Sequence, residues 1–127
     1  MLLGKVNVGA TKRKPQIPLG VYSSIVKKVE DPADYKKGSV KKITYELVNE
    51  DGEVFEFSEL FYLRKTERTL FMVKYLENEV EIDRWEDFEN CQEKVTVQKV
   101  PSRYGSLPSI VEREFLGFAE EGVDNEL

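Results

Sequence analysis

The sequence has 127 residues, of which 40% are hydrophobic and 34% charged, with a formal net charge of −5. This length fits one domain, whose core is large enough to fold without a disulfide or a structural metal. With one Cys and no His, the composition excludes intramolecular disulfides, His-based acid–base catalysis and Cys/His zinc sites, and we expect no enzyme activity, cofactor or metal.

The chain is predicted to begin with an irregular basic arm at residues 1–19, because two glycines and two prolines interrupt regular structure there. A basic triplet at residues 12–14 lies within this arm. Gly20–Glu30 is rich in β-branched and aromatic residues, which predicts strand 1. A loop at residues 31–39 follows, and it carries a tyrosine and a pair of lysines.

Two further strands are predicted to form a β-hairpin. Val40–Asn49 alternates apolar and polar residues with the period of a half-buried strand. Asn49–Gly52 has the composition of a tight turn, with a glycine placed for positive φ. Glu53–Leu60 then forms strand 3, in which Phe55 and Phe57 share one face.

One helix of about ten residues is predicted after strand 3. Thr66 has the side chain of an N-cap, which can accept a hydrogen bond from the first turn. Leu70, Val73 and Leu76 follow at helical spacing, with Met72 and Tyr75 alongside. A second short helical turn near Asp83 would place a Trp and a Phe on one face.

Two strands are predicted to end the domain. Glu93–Val100 forms strand 4, with Val95 and Val97 facing inward, and Ser109–Leu116 forms strand 5. The stretch between them, residues 101–108, contains two prolines and a glycine, and it is predicted to be a loop.

The predicted order is therefore three strands, a helix and two strands. This order describes a mostly β, five-stranded, OB-fold-like Greek-key barrel with one helix between strands 3 and 4, although other five-stranded α+β folds share it. We expect one such domain at residues 20–116, after the arm at 1–19 and before an acidic flexible tail at 117–127.

Charge is divided unevenly along the chain. Residues 1–75 contain 14 basic and 10 acidic residues, whereas residues 76–127 contain 5 basic and 14 acidic. One interpretation is an ordinary solvated surface with chance clustering. The other is a basic face for a polyanion, which the negative total does not forbid because salt limits the reach of each charge to about 8–10 Å.

Several short motifs resemble those of small phage-encoded single-stranded-DNA-binding proteins. They are Pro18–Tyr22, Val29–Glu30, Cys91–Val97, Arg103–Gly105 and Pro108–Val111. The resemblance covers residues 15–116. It implies an OB-fold and the coating of single-stranded DNA during phage replication or recombination. It also implies a location in the host cytoplasm and a homodimer.

Such proteins hold single strands by neutralising phosphates and by stacking bases on aromatic rings. The candidate nucleic-acid-binding residues are therefore cations and nearby tyrosines: Tyr22, Lys27, Lys28, Tyr35, Lys36, Lys37, Lys41, Lys42, Tyr62, Arg64, Lys65, Arg103 and Tyr104. The alternative for Tyr22 and Tyr62 is packing in or against the core. Tyr45 is expected to pack in the core.

The acidic end of the sequence has two interpretations. Its candidate partner-binding residues are Glu120, Glu121, Asp124, Glu126 and Leu127. Acidic ends that finish in an apolar residue can recruit replication or recombination proteins and compete with DNA. The other interpretation is a solubilising end without a partner.

Other functional classes stay open at this point. The acidic second half could mimic a phosphate backbone, as in a phage inhibitor or decoy of a host nucleic-acid-binding protein. A virion component with a small β-barrel is a further alternative. The sequence has no run of 18 apolar residues and a polar start, so we expect no membrane span, no secretory signal and a cytoplasmic protein.

Overall fold

The computed structural model describes residues 17–64, 66–102 and 105–119. Its elements are β1 (Gly20–Glu30), β2 (Val40–Val48), β3 (Val54–Tyr62), α1 (Glu67–Tyr75), a π-helical turn (Leu76–Val80), a 3₁₀ turn (Trp85–Phe88), β4 (Cys91–Ser102) and β5 (Gly105–Phe118). Most of the predicted arm and tail lies outside the described residues.

The five strands form one antiparallel sheet in the order β3-β2-β1-β4-β5. The predicted mostly β class and the helix between strands 3 and 4 are confirmed. The predicted closure into a barrel is wrong. Within the described chain, β3 and β5 are the two edges of the sheet and do not pair with each other. We call the gap between these two edges the seam.

The hairpin of β4 and β5 is longer than predicted. Most of the loop expected at 101–108 is strand, because β4 continues to Ser102 and β5 begins at Gly105. The two prolines in this stretch are tolerated because each strand of the hairpin has a free edge here. β1 pairs with β4 only as far as Val97, so the rest of the hairpin extends from the sheet as a two-stranded ribbon.

The helix α1 begins as predicted, and most of its predicted apolar residues pack inward. The Thr66 hydroxyl accepts a hydrogen bond from the Thr69 N–H at 3.1 Å, which confirms the N-cap. Leu76 and Met72 are buried and Val73 is half-buried, whereas Leu70 is 47% exposed and the polar Thr69 is buried. The Thr69 hydroxyl donates to the carbonyl of Tyr62 at 2.6 Å. This bond fixes the rotation of the helix about its own axis, so that the polar Thr69 is buried and the apolar Leu70 is exposed.

The core lies between one face of the sheet and the helical segments. Tyr45, Val95 and Val97 are fully buried, as predicted. Phe88, from the short turn predicted near Asp83, is also fully buried. The sheet therefore has an inner face that packs under the helices and an outer face that is open.

A buried cluster of polar side chains connects the two edges of the sheet. Arg113 of β5 donates through Nη1 to both carboxylate oxygens of Glu93 on β4, at 3.1 Å each, and through Nη2 to Glu59 of β3 at 2.7 Å. Tyr45 of β2 accepts from Nη2 at 2.8 Å and donates to Glu59 at 2.6 Å. Because β3 and β5 are opposite edges, a sheet that allows this contact must be strongly curled.

Further contacts satisfy the two buried carboxylates. The Tyr75 hydroxyl donates to Glu93 at 2.7 Å, and Arg68 donates to Glu59 at 3.2 Å. The Arg68 guanidinium also lies over the ring of Phe61, 4.1 Å from its centroid. Two carboxylates thus face two guanidinium groups, and hydrogen bonds replace the water that burial removed.

Replacement of Arg113 tests the cluster. Arg113→Ala leaves two carboxylates buried without their shared cation, so we expect the free energy of unfolding to fall by about 3–5 kcal/mol. Urea denaturation followed by circular dichroism measures this change. The control is Arg84→Ala, which removes an exposed pair with Asp87 and should leave the midpoint unchanged. Equal midpoints for the two variants would contradict the role of Arg113.

The cluster also predicts how stability depends on pH. Burial raises the pKa of Tyr45 and Tyr75 well above 10, and the nearby carboxylates raise it further. A raised folded-state pKa gives stability that is complete below the unfolded value and lost above it. We expect the free energy of unfolding to fall as pH rises above about 10. Ultraviolet titration should show both phenols un-ionised while the protein is folded, and their ionisation near pH 10 in folded protein would contradict this.

Candidate nucleic-acid interface

Two exposed tyrosines meet at one end of the sheet. The ring centroids of Tyr35 and Tyr62 are 6.0 Å apart, their planes are 72° apart, and the residues are 38% and 41% exposed. The neighbouring side chain of Tyr62 raises the pKa of Tyr35. With Arg64, Gly38 and Ser39, they line a cleft of about 460 Å³. We call it the tyrosine cleft.

Backbone hydrogen bonds of the β1–β2 loop position one of these rings. The N–H of Tyr35 donates to the carbonyl of Pro32 at 3.3 Å, and the N–H of Leu63 donates to the carbonyl of Ser39 at 2.9 Å. Gly38 has a φ of 82°, which side chains with a Cβ rarely adopt. The loop and the segment after β3 are thus joined, and each contributes one tyrosine to the cleft.

Lysines flank the tyrosine cleft. Lys36 and Lys37 are exposed in the same loop. Lys42 pairs with Leu60, two residues before Tyr62, so its side chain shares the outer face of the sheet with that tyrosine. In the part of the chain that the structure describes, no carboxylate forms an ion pair with these three lysines. Their charges are therefore available to a ligand.

Tyr22 is not part of this surface. It is 2% exposed, its ring packs edge-to-face on Phe55 with centroids 5.9 Å apart, and its hydroxyl donates to the carbonyl of Pro18. At 2% exposure the ring offers almost no surface to a base, so the structure gives no support to the predicted role of Tyr22 as a stacking platform. The alternative of core packing is supported instead.

Lys41 is also engaged within the protein. Its side chain is 12% exposed, and Nζ lies 2.8 Å from Asp31 and 2.5 Å from Glu86. Burial opposes its charge, but hydrogen bonds to these two carboxylates raise its pKa. The lysine therefore joins the start of the β1–β2 loop to the 3₁₀ turn, and its predicted role as a phosphate contact is not supported.

The other predicted site residues have different positions. Lys27 and Lys28 are exposed on β1, where the pairing with β2 is irregular, and Lys28 lies 3.3 Å from Glu30. The candidates that lie outside the described residues are Lys65, Arg103, Tyr104, Glu120, Glu121, Asp124, Glu126 and Leu127. The structure therefore brings together Tyr35, Tyr62 and Arg64, with the lysines described above around them.

A second concave surface lies along the seam, and the sequence analysis did not predict it. This seam groove has a volume of about 630 Å³. Arg68, Phe71 and Met72 of α1 line one side, and Ile110 and Val111 of β5 line another. Phe71 is 71% exposed. The apolar spacing of α1 does not include Phe71, so the sequence pattern gave no signal for it.

No group of three or more Asp, Glu or Cys side chains in the described part of the chain could hold a metal ion. Over the same residues, none of the helices combines the length and the apolar character needed to cross a bilayer.

No protein-family model matches the chain, and no curated protein matches it either. A function must therefore be argued from the chemistry of the tyrosine cleft and the seam groove.

The different environments of two tyrosines give a stability prediction. Tyr22→Ala removes a buried ring, and large aromatic-to-alanine changes in a core cost about 3–5 kcal/mol. Tyr35→Ala removes an exposed ring and should leave the unfolding midpoint unchanged. Chemical denaturation of the two variants measures both effects. A large loss of stability in Tyr35→Ala would show that this ring is a structural element.

Proposed function

We propose that this protein binds single-stranded DNA without sequence preference and that the tyrosine cleft is its binding surface. The observation that carries this proposal is the exposed pair of Tyr35 and Tyr62 beside Arg64, with flanking lysines that no carboxylate of the described chain neutralises. We place this activity in phage replication or recombination, as the sequence resemblance implies.

Two physical terms give this surface its affinity for single strands. Stacking of a splayed base on an exposed aromatic ring contributes about 1–3 kcal/mol. Neutralisation of phosphates by Lys36, Lys37, Lys42 and Arg64 releases counterions, so binding should weaken as salt is added. A stacked duplex cannot offer its base faces to the tyrosines, and the surface therefore favours single strands.

The fold supports the same proposal. OB-folds are partly open five-stranded Greek-key barrels that bind oligonucleotides on one face and in their loops. A five-stranded sheet with a helix after β3 and an open seam is compatible with an OB-like domain that is less closed. The tyrosine cleft uses the β1–β2 loop, which is one of the two loops that OB-folds use for ligands.

Titration of a fluorescent oligo-dT, followed by anisotropy at several salt concentrations, tests the proposal. We expect Tyr35→Ala and Tyr62→Ala each to raise the dissociation constant about tenfold, since each removes one stacking ring. The conservative change Tyr35→Phe keeps the ring and should bind nearly as well. A combined change of Lys36 and Lys37 to Ala should lower the steepness of the salt dependence by about one for each lost phosphate contact.

A matched control distinguishes DNA binding at the tyrosine cleft from general attraction of DNA to positive surface charge. Lys74 is exposed in the last turn of α1 and does not line the cleft. Lys74→Ala should therefore keep both the affinity and the salt dependence. Equal affinity of the wild type and the two Tyr→Ala variants would contradict the role of the cleft.

The main alternative is a protein-interaction module that imitates nucleic acid. The observation that favours this alternative is an exposed acidic stretch. Every second residue in it is an acid: Glu77, Glu79, Glu81 and Asp83. The same titration distinguishes the two functions, because a decoy should not bind oligo-dT at any salt concentration.

A further inference from the structure

Two glutamates lie directly opposite each other on the outer face of the sheet. Glu46 of β2 pairs with Glu56 of β3, and the neighbour of Glu46 on its other side is Ile25 of β1. Within the described residues, no lysine or arginine forms an ion pair with either glutamate. Like charges that face each other across two strands destabilise a sheet. The pair therefore opposes folding, and the stability of the hairpin does not account for it.

The same face of the hairpin carries the tyrosine cleft at its other end. Tyr62 of the cleft and Lys42 belong to the first two outward-facing rows of paired residues. Thr44 and Ser58 form the third, which we call the hydroxyl row, and their side-chain oxygens lie 3.3 Å apart. The two glutamates form the fourth, the acidic row. Successive rows are about 7 Å apart, since each spans two residues of a strand.

These distances decide which phosphates of a bound strand the glutamates affect. Salt screens charges over about 8 Å at physiological ionic strength. A phosphate beside Lys42 lies two rows away from the acidic row, at about 14 Å, and is little repelled. A phosphate beside the hydroxyl row lies about 7 Å from two negative charges and is repelled by both. A single strand that leaves the tyrosine cleft along this face therefore meets a barrier after the hydroxyl row.

We propose that Glu46 and Glu56 end the DNA-binding surface on the outer face of β2 and β3, so that this face holds a single strand only between the tyrosine cleft and the hydroxyl row. A repulsive element of this kind sets specificity by excluding ligands rather than by binding them. The inference rests on the proposed function and deepens it, because it limits the length of strand that one copy holds. The site is then at the short end of the range of about 4–16 nucleotides that an OB-fold covers.

The dependence of affinity on oligonucleotide length tests this boundary. The double variant Glu46→Gln/Glu56→Gln keeps the size of both side chains and removes their charges. At physiological salt, its dissociation constant for oligo-dT of about 16 nucleotides should fall about threefold to tenfold, because the longer strand can then continue along the sheet. Its dissociation constant for oligo-dT of about 4 nucleotides, which the tyrosine cleft and the hydroxyl row can hold alone, should equal that of the wild type.

A control variant removes the same charge from another surface. Glu77→Gln/Glu79→Gln changes two exposed glutamates of the π-helical turn, on the helical side of the domain. Both of its dissociation constants should equal those of the wild type. An equal gain for the two lengths in the Glu46→Gln/Glu56→Gln protein, or the same gain in the control, would show that total charge and not position weakens binding, and would overturn the proposal.

A measurement without DNA tests the repulsion itself. The urea midpoint of Glu46→Gln/Glu56→Gln should be higher than that of the wild type, because two like charges no longer face each other. An unchanged midpoint would contradict the repulsion on which the boundary depends. The two proposals fail in different ways. Wild-type protein that binds no oligo-dT would contradict the tyrosine cleft and the boundary together, whereas binding without the length-dependent gain would contradict the boundary alone.

Discussion

The ion cluster around Arg113 determines the shape of this protein. A guanidinium from one edge strand cannot reach a carboxylate on the opposite edge unless the sheet curls around the core. In a closed barrel, backbone hydrogen bonds join the first and last strands of the sheet. In this protein, the side chains of the cluster join the two edge strands instead. The cluster also explains the seam, because Glu59 and Arg113 line the groove that remains between β3 and α1 on one side and β5 on the other. The contact thus requires the curvature of the sheet, and it lies in the groove where the two edge strands stay apart.

The same chemistry divides the basic residues into two groups. Arg113, Arg68 and Lys41 are held by carboxylates inside the fold or at its edge. The cations of the β1–β2 loop have no such partner within the described residues. A protein with a negative total charge can thus keep a local basic surface. Four carboxylates, Asp31, Glu59, Glu86 and Glu93, pair with the structural cations, and screening by salt limits the reach of the other acids.

Much of the fold could be predicted from hydrophobic pattern and turn chemistry, and β1 and the N-cap at Thr66 are as predicted. The ion cluster was not predicted, although strand alternation places Glu59 with the inward phenylalanines of β3 and Glu93 with the inward valines of β4. Charged residues usually face water, so strand alternation alone does not predict that these two glutamates are buried. Tyr35 could be proposed as a site residue from the sequence, because an aromatic residue in a loop is difficult to bury. Its contact with Tyr62 could not be predicted, because that contact depends on the tertiary structure and not on sequence spacing.

The ion pairs of Lys41 with Asp31 and Glu86 affect the conformational entropy of the β1–β2 loop. They fasten the beginning of the loop that carries Tyr35 to the helical side of the domain. A loop held in this way loses little conformational entropy when a ligand enters, so more of each contact remains as affinity. In the proposed binding of single strands, Lys41 would contribute preorganisation without touching the DNA, because its two acidic partners hold the start of the basic loop in place.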